Sequence, residues 1–430
     1  ENGVATVIDG TLSVGDVDDA NLELATITIT SGYVSSEDVL GFSTQNGISG
    51  SWNSGAGVMT LSGSSSKANY ETALESVTYD NTSEDPNTTA RTITWVLNDG
   101  TGNSSSVTST ISMTAVNDVP TLGDAGGTLS FTENGVATVI DGTLSVGDVD
   151  DANLELATIT ISAGYVSSED VLGFSTQNGI SGSWNSGAGV MTLSGSSSKA
   201  DYETALESVT YDNTSENPNT SSRTITWVVN DGDGNSSSVT STVNVTAVND
   251  APTVAINTGA SVAEEGTVTI NPLMLNEGDP DDSGLELAYN VIALPSSGQL
   301  ELDLNPGVAV SIFTQDDVDN SRLKYVHDGS ETSSDSFEFS LADGGEDLAR
   351  AAIGNFNFDV TPVNDAPKIS GLGETLSYTE NDLPTPIDET LSLTDPDDSV
   401  FESAKISILE GYNRVEDVLG FTHQNGISGH

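Results

Sequence analysis

Carboxylates are the only groups in this chain abundant enough and ordered enough to do chemistry. Asp and Glu number 65 against 10 Lys and Arg, with 3 His and no Cys. They recur as a set. A Glu stands near the start of each repeat (Glu1, Glu133, Glu264 or Glu265, Glu380). An acidic tract follows: Asp16-Val-Asp18-Asp19, Asp148-Val-Asp150-Asp151, Asp279-Pro-Asp281-Asp282 and Asp395-Pro-Asp397-Asp398. An Asp-Gly turn comes near the end (Asp99, Asp231, Asp343), then a linker Asn-Asp (Asn117-Asp118, Asn249-Asp250, Asn364-Asp365). Two carboxylates 4 Å apart repel by about 1 kcal/mol in water and by several times that near a protein surface. A hard divalent cation turns that repulsion into binding. Calcium accepts 6–8 oxygens in flexible geometry, from carboxylates, Asn side chains and backbone carbonyls, whereas magnesium demands a tighter octahedron and keeps its waters. Zinc would call for His or Cys, and none is placed for it. Ca²⁺ is therefore the expected ligand of these tracts. A solvated acidic face, the ordinary reading of a charge run, does not account for four tracts at matched offsets from a Glu and a linker.

The net charge of −55 excludes nucleic-acid phosphates and anionic lipid as partners, since every approach would be repulsive. The absence of Cys excludes disulfides, thiolate metal sites and thiol catalysis. No apolar run is long enough for a membrane span, and no signal peptide is expected in this window. Catalysis is not expected either. His327, His423 and His430 are the only histidines, and repeated near-identical carboxylate sites suit a scaffold better than glycoside hydrolysis.

The elements that must position these carboxylates are repeated. Glu1–Val119 and Glu133–Ala251 align without a gap and differ at 12 positions, a period of 132. A diverged third unit starts near Thr253, and a fourth near Lys368 returns to the first type, with EDVLGFTHQNGISG echoing EDVLGFSTQNGISG. The boundaries read AVNDVP, AVNDAP and PVNDAP. Pro ends strand pairing and Asn-Asp supplies turn chemistry, so these are short stiff linkers. The expected domains are 1–119, 120–251, 252–366 and 367–430, the first and last incomplete, as in a window cut from a longer protein. Leu24–Ile29, Val58–Leu61, Arg91–Leu97 and Val107–Val116 alternate β-branched with small polar residues, which predicts strands. Turn clusters at short spacing predict an antiparallel sandwich of about seven strands per unit. Lys67–Val77 is left between a short helix and an ordered loop. Trp95, Trp227 and Phe339 sit mid-strand in apolar i, i+2, i+4 patterns and are expected in cores.

The linkers, acidic tracts and Asp-Gly turns together resemble the cadherin-like repeats of very large bacterial adhesins. The third unit (LPSSGQLEL, then FTQDDVDNSRLKYVHDG) is similar to the repeat of chondroitin-sulfate-proteoglycan and Frem-type proteins. The resemblance implies an all-β array of tandem cadherin-like (immunoglobulin-like) sandwiches, elongated, with calcium between successive domains. Carried over, the first junction would use Glu1, Asn117, Asp118, Asp148, Asp150 and Asp231. The second would use Glu133, Asn249, Asp250, Asp279, Asp281 and Asp343, and the third Glu264 or Glu265, Asn364, Asp365, Asp395 and Asp397. Asp16, Asp18 and Asp99 would serve a domain upstream. No Asp-Arg-Glu motif is present; Glu84, Glu216 and Glu331, each after a Ser, stand in for it, and Asp233 could add a ligand.

The resulting expectation is a calcium-rigidified extracellular stalk on a bacterial cell surface, projecting a distal binding domain, with neighbouring repeats of the chain as its partners and further copies if a fibre forms. Two alternatives stay open: a self-assembling filament or surface layer, and a glycan-binding array using Trp52, Trp184, Tyr33 and Tyr165 as platforms.

Overall fold

The computed structural model describes residues 3–345, 349–371 and 373–430. They form tandem β-sandwiches, with three short helices among the described residues. The chain divides into two compact units, Glu1–Ala247 and Val248–His430. The first holds two hydrophobic cores, one spanning Leu22–Trp95 and one Phe131–Val245.

The second repeat shows the plan. Its larger sheet runs in the order Thr128–Thr132, Val239–Thr246, Arg223–Asn230, Asn153–Ala163, Val190–Ser198, Ser181–Asn185. The facing sheet is Thr138–Val139, Thr210–Asn213, Asp170–Gly173. In Asn153–Ala163, Ala157, Ile159 and Ile161 point inward while the threonines between them face out, the period-two pattern of a half-buried strand. Leu154 is also buried although it is out of phase with that set. A register shift between Leu154 and Leu156 resets the alternation, as a bulge does.

Trp227 is fully buried opposite Ile159. Its indole N–H donates to Ser241 Oγ at 3.0 Å, and that hydroxyl donates to Asp141 Oδ2 at 2.6 Å. Trp95 makes the same bond to Ser109. Both tryptophans are core residues.

The segment left open between helix and loop is helical. Lys67–Leu74 and Lys199–Glu207 are α-helices N-capped by Ser66 and Ser198. Tyr202, Ala205 and Leu206 of the second are buried, at the spacing that lines one face of a helix.

Val107–Val116 is strand only over Val107–Ile111, whereas its counterpart is strand over Val239–Thr246. The extra residues of the latter pair in parallel with Thr128–Thr132. Among the described residues of the first repeat, nothing pairs with that edge.

Each of these repeats buries one arginine. Arg223 is inaccessible, and its guanidinium reaches both Asp170 oxygens, with Nε bonds of 3.1 and 3.3 Å. Tyr211 and Asn213 donate to the same carboxylate at 2.6 and 3.2 Å. Arg91, Asp38, Tyr79 and Asn81 repeat the arrangement. Burial, and then the bond to Asp38, pushes the Tyr79 hydroxyl up to about 12. The network ties the two sheets together, because Asp170 lies in the smaller one and Arg223 in the larger.

In the second unit, the third repeat pairs the sheet Ala260–Ala263, Ala352–Thr361, Ser334–Ala342, Ala288–Ala293, Ile312–Thr314 with Thr267–Thr269, Leu323–His327, Gly298–Leu302. Phe337, Phe339 and Leu341 alternate inward as expected, into an aromatic core with Tyr289, Tyr325, Phe356 and Phe358. Residues 368–430 contribute one strand pair, Lys368–Ser370 with Ser392–Thr394. Ile406 is 70% exposed, while its counterpart Ile159 is buried. Ile159 lies on a strand flanked by Val190–Ser198 and Arg223–Asn230, whereas among the described residues no strand pairs with the segment around Ile406.

Removing one member of a buried ion pair leaves the other charge uncompensated, at a cost of about 3–5 kcal/mol. Asp170→Ala should destabilise the second repeat by that amount in urea unfolding, and Asp38→Ala should do the same for the first.

Candidate metal centres at the linkers

The acidic tracts are turns before they are ligands. Asp148 Oδ1 accepts the amides of Asp150 and Asp151 at 3.1 and 2.8 Å. The same cap forms on Asp16 from Asp18 and Asp19, on Asp279 from Asp281 and Asp282, and on Asp395 from Asp397 and Asp398. This is the local bond that Asp makes two and three residues ahead of itself. It fixes one oxygen of the first Asp and leaves the other outside the turn's own hydrogen bonds.

The linkers close onto these turns. In the first unit, Asp118 N donates to Asp150 Oδ2 at 3.0 Å, and Asn117 Nδ2 to Asp231 Oδ2 at 3.0 Å. The second unit repeats the pattern: Asp250 N to Asp281 Oδ2 at 2.8 Å, and Asn249 Nδ2 to Asp343 Oδ2 at 2.9 Å. Asp365 N reaches Asp397 Oδ2 at 2.5 Å. Asp231 and Asp343 are presented by Asp-Gly turns in which Gly232 and Gly344 hold φ of 102° and 96°, a region that glycine alone enters without strain.

The linker bonds leave oxygens over. Asp148 Oδ2 and Asp150 Oδ1 in the first unit are buried and receive no hydrogen bond, as are Asp279 Oδ2 and Glu264 Oε1 in the second. Within the units, the described residues hold four groups of carboxylates that place one oxygen each within 4.8 Å of one another: Asp16, Asp18, Asp19; Asp148, Asp150, Asp151; Asp279, Asp282, Asp343; and Glu264, Glu331, Asp397.

Electrostatics shows the strain of this convergence. Burial, followed by its carboxylate neighbours, raises Asp151 above the ordinary Asp value. Asp148 is raised too, chiefly by burial and despite the amides it accepts. Glu331 is raised by burial and then by Asp397 and Glu264. Burial also pushes Asp231 and Asp343 up, but there the amide donors outweigh it and both lie below the usual value.

A buried ionised oxygen without a donor is costly. A set of hard oxygen donors with no nitrogen or sulfur among them fits calcium. Within each unit, the residues that would hold an ion are the converging carboxylates and the linker side chains.

The expected ligands distribute as follows. Asn117, Asp118, Asp148, Asp150 and Asp231 come together. So do Asn249, Asp250, Asp279, Asp281 and Asp343, and also Asp365 with Asp397. Of the two neighbouring glutamates, Glu264 turns inward, 5% exposed, with Oε2 accepting Val363 N at 3.1 Å. Glu265 adopts φ 56° and is exposed. Glu133 is buried, and its amide donates to Thr246 O at 2.9 Å, as Glu264 N does to Thr361 O. Asp99 caps its own turn through Thr101 and Gly102 amides. Asp395 caps its turn without joining a converging group, and Asp233 joins none. Glu1 lies outside the described residues.

Sequence reasoning left out Asp19, Asp151 and Asp282, the last residue of each tract. The doubled Asp was a visible signal for them. Glu331 was legible only as an acid after a Ser. The aromatic pairs considered for glycan stacking pack against their own hairpins. Tyr33 meets Trp52 edge-on at 6.2 Å and lies against Gly57, and Tyr165 meets Trp184 in the same way.

Comparison with known proteins bears on the same region. Residues 252–360 match the family described as cadherin-like. That match falls on the third repeat. The chain is 33% identical over 124 residues to the human extracellular matrix organizing protein FRAS1, covering 28% of this chain and 3% of that protein. It is 27% identical over 274 residues to halomucin of Haloquadratum walsbyi, covering 61% of this chain and 3% of that protein. Among solved structures, protocadherin gamma B2 extracellular cadherin domains 1–5 align at 16% identity and a TM-score of 0.34, over 77% of this chain and 53% of that one. The chain spans a small fraction of the length of these curated relatives. No helix among the described residues is long and apolar enough to cross a membrane.

The raised carboxyls set a pH dependence. In metal-free protein, a carboxyl whose folded pKa is raised destabilises the fold while ionised. That penalty is relieved as pH falls through the raised value. Cation entry must displace the same protons. Calcium affinity should therefore weaken as pH is lowered towards the ordinary carboxylate range, and calorimetry in two buffers of different ionisation enthalpy should register proton release. Affinity that is flat across that window would contradict the assignment.

Proposed function

We propose that this chain is a stalk segment of a large bacterial surface adhesin or matrix fibre. Its repeats, 1–119, 120–251, 252–366 and 367–430, are held in fixed succession by calcium at the linkers and project a distal binding domain from the cell. The observation that carries this reading is the pairing of linker and turn. Asn117 and Asp118 bind the carboxylates of Asp231 and Asp150, while Asp148 Oδ2 and Asp150 Oδ1 stay buried without a donor. Asn249 and Asp250 repeat that pairing with Asp343 and Asp281. Similarity to extracellular matrix proteins and to halomucin supports an extracellular setting.

The chain's own residues do most of the mechanical work. Linker amides hold one oxygen of each downstream carboxylate, which orients the other. The third linker adds Glu264 and Glu331 from the upstream domain to Asp397 from the downstream segment. Calcium would supply the charge that lets these oxygens stay together. Extracellular modules bind it at about 10⁻⁴–10⁻³ M.

A ligand at about 100 times its Kd stabilises a fold by about 2.7 kcal/mol per site. Calcium at tens of millimolar should therefore raise the melting temperature. Excess EDTA should lower it and increase the hydrodynamic radius measured by light scattering, and both changes should reverse on adding calcium back. If neither quantity moves, the proposal fails.

A further inference from the structure

The chain has 10 cationic side chains from Lys and Arg against 65 acids, and two of those cations stand behind acidic turns. Lys199 Nζ donates to the backbone carbonyls of Asp148 and Asp151 at 2.7 and 2.6 Å. Lys67 Nζ donates to those of Asp16 and Asp19 at 2.6 and 2.9 Å. Each lysine is the first residue of its helix and bridges the two ends of the turn through their backbone carbonyls. One helical turn later, Glu203 accepts Val146 N at 3.1 Å and Glu71 accepts Val14 N at 2.9 Å. The same helix face therefore grips both the tract and the strand that leads into it.

The third repeat is built differently. Its helix begins at Gln315, which directs its amide to Asn276 and Asp319 at 2.8 and 2.7 Å.

An ammonium shared by two carbonyls does two things. It closes the turn with charge-assisted bonds, which are roughly twice as strong as neutral ones. It also places a positive charge beneath carboxylates that repel one another. Neither effect needs a metal.

We infer that Lys67 and Lys199 are positioning residues that hold the acidic turns of the first two repeats in their ion-receiving shape before any cation arrives. The inference rests on the reading that these turns receive calcium, but its test does not.

The test is hydrogen–deuterium exchange on the full chain in excess EDTA. It reads peptides spanning 16–19 and 148–151, which share one sequence and are measured together. Lys67→Met with Lys199→Met should accelerate exchange there about tenfold or more. Peptides containing Trp95, Trp227 and Asp279–Asp282 should be unchanged. Unaltered exchange at the two turns overturns the inference. If the methionine variants lose protection in their cores, Arg and Gln at both positions replace them. Slower exchange with Arg than with Gln supports the inference, and equal exchange overturns it. With EDTA present throughout, a chain that never bound calcium would fail the proposed function and leave this comparison intact.

Discussion

Like charge held at close range is the constraint on which this molecule turns. The fold brings carboxylates from a linker, a tight turn and an Asp-Gly hairpin to within a few ångströms and then buries several of their oxygens without a donor. Desolvation alone raises the cost of an ionised carboxylate, and the neighbours raise it further. The upward displacement of Asp148, Asp151 and Glu331 expresses both effects. A sandwich under no other demand would scatter these groups over its surface. Their convergence at equivalent places in successive repeats is what the proposed calcium-holding role of the linkers rests on.

The cores show why the ends can bear this load. In the first two repeats, a buried arginine joins the two sheets through Asp38 or Asp170, and a buried tryptophan is anchored through serine to Asp9 or Asp141. In the third, aromatic stacking takes over, with Tyr325 and Phe358 at 3.8 Å. The chemistry of the core changes while the linker geometry is retained, down to the Asn-to-Asp bond of about 3 Å that recurs at Asn117 and Asn249. Packing tolerates substitution as long as volume and pattern hold, whereas a hydrogen-bonded turn that aims one oxygen does not.

Much of this was legible in the residues. Alternation in LATITI and RTITWVL marks half-buried strands, because a pleated strand alternates its faces wherever no bulge interrupts it. The acidic tracts, the Asp-Gly turns and the Asn-Asp-x-Pro linkers could be found by spacing, since each is a local motif whose geometry is set within four residues. Between helix and loop, Lys67–Val77 stayed open, because Ser66 as a cap and the Tyr70, Ala73, Leu74 stripe make a helix of barely two turns whose stability comes from the sheet it packs on.

The sequence by itself determined the repeat, the strand pattern and the inventory of oxygen donors, all of which follow from neighbours along the chain. The tertiary structure decided which oxygens meet. Glu264 rather than Glu265 turns inward because its amide is fixed to Thr361 at the end of a parallel strand pair. Glu331 joins it from a loop 67 positions away. Lys199 reaches the Asp151 carbonyl because a helix 48 residues later lands against the turn. Convergence of that kind is a property of how strands stack, and no spacing along a single chain encodes it.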